Sequence, residues 1–187
     1  MLKLLFVCTG NICRSPMAAA MAEALLKERV PGLSISSSGR LSPGRAPTPE
    51  MIQVMAGRGF DVGSHLSSSI NTSLEDRPDL IIGMAREHVR EVVDRRPALF
   101  GRTFTLKELV RLAKHAGPRL PGEDLTAYLD RVGSTRKISA LIGASPHDDI
   151  ADPIGGPVRA YEDCAEEIDG LVSVLADYLW PSSSLAR

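Results

Sequence analysis

A chain of 187 residues with 22 Lys and Arg against 23 Asp and Glu carries a formal net charge of −1. That length suits one domain built on one large core, and the balanced charge argues against a nucleic-acid protein, whose surface is usually basic. Three cysteines (Cys8, Cys13, Cys164) are too few and too unevenly spaced for a disulfide scaffold, and the scattered histidines (His65, His88, His115, His147) complete no zinc pattern with them.

The chain opens with an almost unbroken apolar run over residues 2–7, read as a strand buried on both faces. That run is too short for a signal peptide and has no small-residue cleavage site after it. No stretch approaches the ~20 apolar residues of a membrane span. A helix is predicted over 17–29, with Pro16 in its first turn, and Pro31 and Gly32 stop it. Residues 33–38 alternate rather than run apolar, so they read as a second strand near a sheet edge. Thr48 and Pro49 have the types that cap and open a helix, here through about 58. Residues 60–71 read as a polar connection. A third strand is expected over 79–84, a helix over 86–95, a short fourth strand over 104–106 and a helix over 107–115. The segment 117–147 is the hardest to assign: 123–132 has helical character and 139–142 is too short to place. A final helix over about 159–179 has an apolar stripe that includes Cys164, and residues 182–187 read as a disordered tail.

Strands alternating with helices at this spacing predict an α/β fold of three layers, a four-stranded parallel sheet with helices on both faces. Cys8 then falls at the C-terminal end of the first strand, the edge where open α/β sheets bind ligands.

The residues after Cys8 give that position its chemistry. Thr9-Gly10-Asn11-Ile12-Cys13 make a loop, and Arg14-Ser15-Pro16 open a helix. Loop N–H groups at a helix N-terminus have no partner within the helix and can surround an anion. Gly10 and Asn11 are the residue types that best tolerate the positive φ needed to turn those groups inward. Arg14 supplies a planar guanidinium that can hold two phosphate oxygens, and a thiol among such donors is favoured as thiolate. Ser15 can cap the helix or donate to that sulfur. A nucleophile, an anion cradle and a fixed cation in one N-terminal Cys-x5-Arg phosphate loop describe a phosphoryl-transfer site, with Thr9, Gly10, Asn11, Ile12, Cys13 and Arg14 around the phosphate. Such a site also needs an acid for the leaving group. Asp152 is the best candidate, because Pro153 holds it extended just before the last helix. Asp148 and Asp149 are weaker substitutes. With Arg14 and the backbone carrying the charge, no metal or cofactor is required.

The run from Val7 to Pro16 resembles the phosphate loop of the low-molecular-weight protein tyrosine phosphatases, a group whose fold also includes bacterial protein-arginine phosphatases and arsenate reductases. The resemblance covers most of the chain but not 117–147, which it presents as an insertion in a single domain. It implies a phosphocysteine intermediate on Cys8, Arg14 as phosphate ligand and Asp152 of the Asp152-Pro153 pair as general acid. It also implies that Asn11 and Ser37 hold the loop, that Ser15 bonds the thiolate and that His65 lies behind it. A reversible Cys8–Cys13 disulfide is implied as protection against over-oxidation.

Two positions bear on the substrate, expected to be a phosphorylated protein or peptide. Ile154 and Gly155 stand where the eukaryotic form has pocket tyrosines, and Asp-Pro-Ile-Gly-Gly looks like bacterial members, as does 104–109. Ile12, by contrast, matches tyrosine-specific members where arginine-specific ones have threonine. On that ground phosphotyrosine ranks first and phosphoarginine second, with Ile12, Leu41 and Ile154 as pocket walls. Arsenate reduction needs further paired cysteines, which the chain lacks, and a non-catalytic anion-binding module would need neither a thiol nor an acid. The expected location is the cytoplasm, where a reactive thiol stays reduced, with no nucleic-acid or membrane partner.

Overall fold

The computed structural model describes residues 1–181, so the tail expected at 182–187 lies outside the described residues. Four parallel strands, β1 (Lys3–Cys8), β2 (Ser34–Gly39), β3 (Leu80–Gly83) and β4 (Thr103–Thr105), form one sheet in the order β2-β1-β3-β4. The apolar run of β1 takes an inner place, with Phe6 opposite Ser37 on one side and Ile82 on the other, and the serine-rich β2 takes an edge.

Side chains alternate across a strand, and β1 uses both faces. Leu4 and Phe6 enter the larger core with Ile82, Phe104 and residues of α1 (Arg14–Leu26), α2 (Pro49–Gly57) and α7 (Val158–Leu179). Leu5 and Val7 face the other way, onto Ile70 and Leu74 of α3 (Ile70–Glu75) and Val92 of α4 (Arg86–Arg95). Helices therefore cover both faces of the sheet. Among the described residues no helix is long and apolar enough to cross a membrane.

Local chemistry sets the boundaries. Thr48 Oγ1 accepts the Met51 N–H at 3.3 Å with Pro49 next to it, as predicted for α2. α5 (Leu106–Ala116) opens on a reciprocal cap: Thr105 Oγ1 accepts from Glu108 N at 3.1 Å, and Glu108 Oε2 accepts from Thr105 N at 3.3 Å. That cap claims Leu106 for the helix, so β4 lies one residue earlier than expected. α1 starts at Arg14 rather than 17, because the chain turns helical directly out of the phosphate loop. α3 falls at the end of the stretch read as polar connection, capped by Ser69, whose side chain accepts from Asn71 N at 3.3 Å.

The segment after α5 holds α6 (Leu125–Gly133), which sends Leu125, Tyr128, Leu129 and Val132 into the larger core. Basic side chains tie the rest down. Arg131 forks onto Glu123 and donates to the Ala116 carbonyl at 2.6 Å. Arg136 forks onto Glu108 (2.8 and 3.1 Å), donates to the carbonyls of Phe100 and Thr103, and lies over the Phe104 ring, 3.9 Å from its centre. Both ends of that pair are buried, so removing one leaves an uncompensated charge. Arg136→Gln is expected to cost about 3 kcal/mol, seen as a lower urea midpoint with an unchanged slope.

Candidate active site

β1 ends at Cys8, and the loop after it is squeezed against the end of β2. A Cβ on Gly39 would lie 2.8 Å from the Thr9 carbonyl and 2.9 Å from Asn11 N, so only glycine permits this approach. The Thr9 carbonyl takes the N–H groups of Arg40 (3.0 Å) and Leu41 (3.2 Å). Cys8 is 2 % exposed, and its sulfur accepts from the Asn11 N–H at 3.2 Å and the Ser15 hydroxyl at 3.0 Å. Ser15 thus serves the sulfur, and α1 has no side-chain cap. Among the described residues the backbone N–H groups of Gly10, Ile12 and Cys13, all three buried residues, make no hydrogen bond, an arrangement suited to an anion.

Asn11 holds this shape. It is fully buried with φ of 52°, in the left-handed region that asparagine tolerates better than most residues. Its Nδ2 donates to the hydroxyls of Ser15 and Ser37, each at 2.9 Å, and its Oδ1 accepts from Ser68 N at 2.8 Å. His65 Nε2 lies 2.8 Å from the Asn11 carbonyl. The structure therefore brings Asn11, Ser15, Ser37 and His65 together behind the loop.

Arg14 is equally constrained. Its Nη1 donates to the Ile150 carbonyl at 3.1 Å, and its Nη2 donates to Asp152 Oδ2 at 2.5 Å and contacts Thr9 Oγ1 at 3.5 Å. The remaining donor, Nε–H, is buried with no partner. Asp152 is the more exposed member of the pair, and its Oδ1 accepts from Ile154 N at 3.3 Å. Asp148 and Asp149 are committed elsewhere. Asp148 bonds Arg86 and Arg111; burial would raise its pKa, but the two guanidiniums outweigh that and hold it low. Asp149 accepts from the backbone of Arg86 and Ser145 at 2.7 Å each.

Other groups meet here that sequence spacing did not single out. His88 and Glu87, at the start of α4, reach Thr9 Oγ1 at 3.0 and 3.2 Å, and Arg40 lies 3.3 Å from Glu87. Thr48 contacts Cys13 at 3.5 Å. Cys8 and Cys13 are both free and buried. Burial, partly offset by the Thr48 contact, pushes the Cys13 thiol up to about 11. Cys164 is also buried and pushed up to about 12. Of the expected pocket walls, Leu41 and Ile154 are exposed while Ile12 is 4 % exposed. A cavity of about 560 Å³ borders Asp152, Pro153, Asp163, Cys164 and Glu166, and no phosphate-loop residue lines it.

With Asn11→Ala the loop loses its Ser15, Ser37 and Ser68 bonds together. Phosphoester turnover is expected to fall about a hundredfold through misplacement of the sulfur and donors, measured as kcat/KM with folding checked by circular dichroism.

Comparison with known proteins places this geometry. Residues 3–121 match the model of the low molecular weight phosphotyrosine protein phosphatases. The chain is 42% identical over 108 residues to a probable low molecular weight protein-tyrosine-phosphatase, EpsP, of Ralstonia solanacearum, covering 57% of this chain and 71% of that one. It is 30% identical over 178 residues to the protein-arginine-phosphatase of Geobacillus stearothermophilus, covering 95% of each. A low molecular weight protein tyrosine phosphatase structure from T. tengcongensis superposes with a TM-score of 0.70 at 28% identity, covering 96% of this chain and 100% of that one. The chain therefore belongs to the low molecular weight phosphotyrosine protein phosphatase family.

Proposed function

We propose that the chain dephosphorylates protein side chains through a phosphocysteine on Cys8, with phosphoarginine as its substrate. The observation that carries the catalytic reading is a set of unspent donors, the buried Arg14 Nε–H and the loop N–H groups, in the loop of a sulfur that accepts two hydrogen bonds. Burying such donors without partners is costly, and a phosphoryl group with three equatorial oxygens would satisfy them together.

In the first step the Cys8 sulfur attacks phosphorus, and the bond to the leaving group breaks as Asp152 donates a proton to it. Arg14 and the loop N–H groups hold the equatorial oxygens. In the second, water attacks the phosphocysteine while Asp152 accepts its proton, releasing phosphate and the thiolate. Ser15 supports the sulfur, and Asn11, Ser37 and His65 hold the loop to its shape. A nucleophile of this kind persists where thiols stay reduced, which supports work in the cytoplasm.

Ile12 taken alone ranks phosphotyrosine above phosphoarginine. The extent of the relatives supports the reverse order: the arginine-phosphatase match runs through 95% of both chains, whereas the EpsP match spans 57% of this one. Phosphotyrosine is the second reading, favoured by Ile12 and by exposed Leu41 and Ile154 as walls for a ring. We read the segment 117–147 as a strut that seats the acid loop rather than as a lid, since Arg90 and Lys107 bind the carbonyls of Gly143 and Asp149 while the segment's own Arg131 and Arg136 bind those of Ala116 and Thr103.

Matched phosphoarginine and phosphotyrosine peptides test this reading through kcat/KM. We expect a clear arginine preference, no turnover by Cys8→Ser, and a kcat for Asp152→Asn lower by about a hundredfold or more. A tyrosine preference that Ile12→Thr moves toward arginine would reverse the substrate order. Absence of both activities in the intact protein would overturn the enzyme reading.

The Cys8–Cys13 pair adds a redox proposal: peroxide converts Cys8 to a sulfenic acid, and the Cys13 sulfur displaces its oxygen as water to form the disulfide. Peroxide-treated protein is expected to regain activity with dithiothreitol, and Cys13→Ser is expected to lose it for good. Equal recovery of the two proteins would count against the pairing.

A further inference from the structure

His88 takes no part in the proposed chemistry, yet it is 0% exposed and packed directly beneath the phosphate loop. Its Nε2 lies 3.0 Å from Thr9 Oγ1 and 3.4 Å from Glu87 Oε1, while its Nδ1 has no partner. Thr9 Oγ1 in turn lies 3.2 Å from Glu87 Oε1 and 3.5 Å from Arg14 Nη2. The hydroxyl is thus approached by three groups, and it has one proton and two lone pairs to share among them.

Only one placement of the protons serves all three contacts. An ionised Glu87 can only accept, so the Thr9 proton goes to it. Arg14 can only donate, so it takes one lone pair. The other lone pair needs a donor, which must be His88 Nε2–H. In the opposite tautomer a bare Nε2 would face a carboxylate oxygen at 3.4 Å, and an Nδ1–H would be buried without an acceptor. A buried orphan N–H is costly, whereas a buried bare ring nitrogen costs less.

We infer that His88, held as the neutral Nε2–H tautomer, is a positioning residue: it orients the Thr9 hydroxyl so that this hydroxyl receives the Arg14 guanidinium. The Arg14 fork is then fixed on three sides, by Ile150, Asp152 and Thr9, with Nε–H left without a partner. Burial first, then the positive charges of Arg14, Arg40 and Arg90, pull His88 down to about 3, so the ring stays neutral at any ordinary working pH. Glu87, on the same helix, is the carboxylate facing it.

The inference builds on the proposed phosphatase reading, but its first test is independent of activity. Nitrogen-15 NMR of the His88 ring in the intact wild-type protein is expected to show a protonated Nε2 and a bare Nδ1, unchanged between about pH 7.5 and pH 5. A protonated Nδ1, or an imidazolium within that range, would overturn it. The second test measures the affinity for inorganic phosphate and kcat/KM on an aryl phosphate. Thr9→Val and His88→Leu are each expected to weaken both about tenfold, as the loss of one hydrogen bond aimed at a charged group would. The double variant is expected to be no worse than Thr9→Val, because the two act through one hydroxyl. His88→Gln, whose amide can donate from nearly the same place, is expected to recover most of the loss. Additive losses, or unchanged phosphate affinity in folded His88→Leu, would sink the proposal. If the tautomer and the phosphate effects hold while the wild type turns over no phosphorylated substrate, the phosphatase reading falls and this one stands.

Discussion

The constraint on which the rest depends is a loop that keeps backbone donors dry and unspent beside a sulfur. Left alone, a polypeptide would bend those N–H groups toward carbonyls or water, since each buried and unpaired donor costs roughly 1–3 kcal/mol. Asn11 resists that relaxation. It accepts a left-handed φ, donates its N–H to Cys8 and its Nδ2–H to Ser15 and Ser37, accepts Ser68 N–H on Oδ1 and bonds His65 through its carbonyl. The bonds run to elements far apart in sequence, so the loop cannot collapse unless β2 and the loop after α2 move with it. The strain is local and the support is distributed, as at other functional sites.

A second problem is delivering a carboxylate from position 152 to a loop at position 14. The chain solves it through backbone carbonyls and basic side chains. Ile150 N donates to Met84 O at 2.8 Å, which lays the segment alongside the end of β3, and Ile150 O then takes Arg14 Nη1 at 3.1 Å. Lys107 holds the Asp149 carbonyl, while Arg86 and Arg111 grip Asp148. The two carboxylates that compete with Asp152 in sequence are thus consumed as anchors for it. Asp152 itself is left partly exposed and in contact with Arg14.

The sequence revealed the parts whose chemistry is local. An unbroken apolar run marked the inner strand, an alternating one the edge strand, and Thr48-Pro49 the start of α2. The phosphate loop was legible because its members are consecutive, and Asp152 because proline follows it. Two local signals were present but unread. Thr105 followed three residues later by Glu108 is a capping-box signature, and it would have moved the start of α5 to Leu106. Ser69 with Ile70 and Leu74 marks a short capped helix that begins at the end of the stretch read as polar and runs on into residues given no element. Other contacts gave no local signal. Nothing in the residues around 88 says that this imidazole lies under Thr9, because β3 has to pair with β1 before α4 can reach the loop. The Arg136 fork on Glu108 likewise depends on α6 folding back across α5.

The division between legible and illegible also explains why the reaction class is plainer than its substrate. Transfer of a phosphoryl group is governed by the charge and donors that surround it, and in the proposed site these come from one short run plus Asp152. Discrimination among leaving groups would, in the proposed reading, fall to side chains from separate segments: Ile12 from the loop, Leu41 after β2 and Ile154 after the acid. Leu41 and Ile154 are exposed and aliphatic, so these two expected walls offer apolar surface without a ring to stack on a phenol. Ile12 is nearly buried, its Cγ1 packed over the bare face of Gly10, within 3.2 Å of where a side chain there would begin. Its side chain therefore packs against the loop itself. Exchanging that one residue for threonine would put a hydroxyl beside the loop donors and shorten the side chain by one carbon, and we expect position 12 to be a place where substrate choice is altered while the phosphoryl chemistry is left intact.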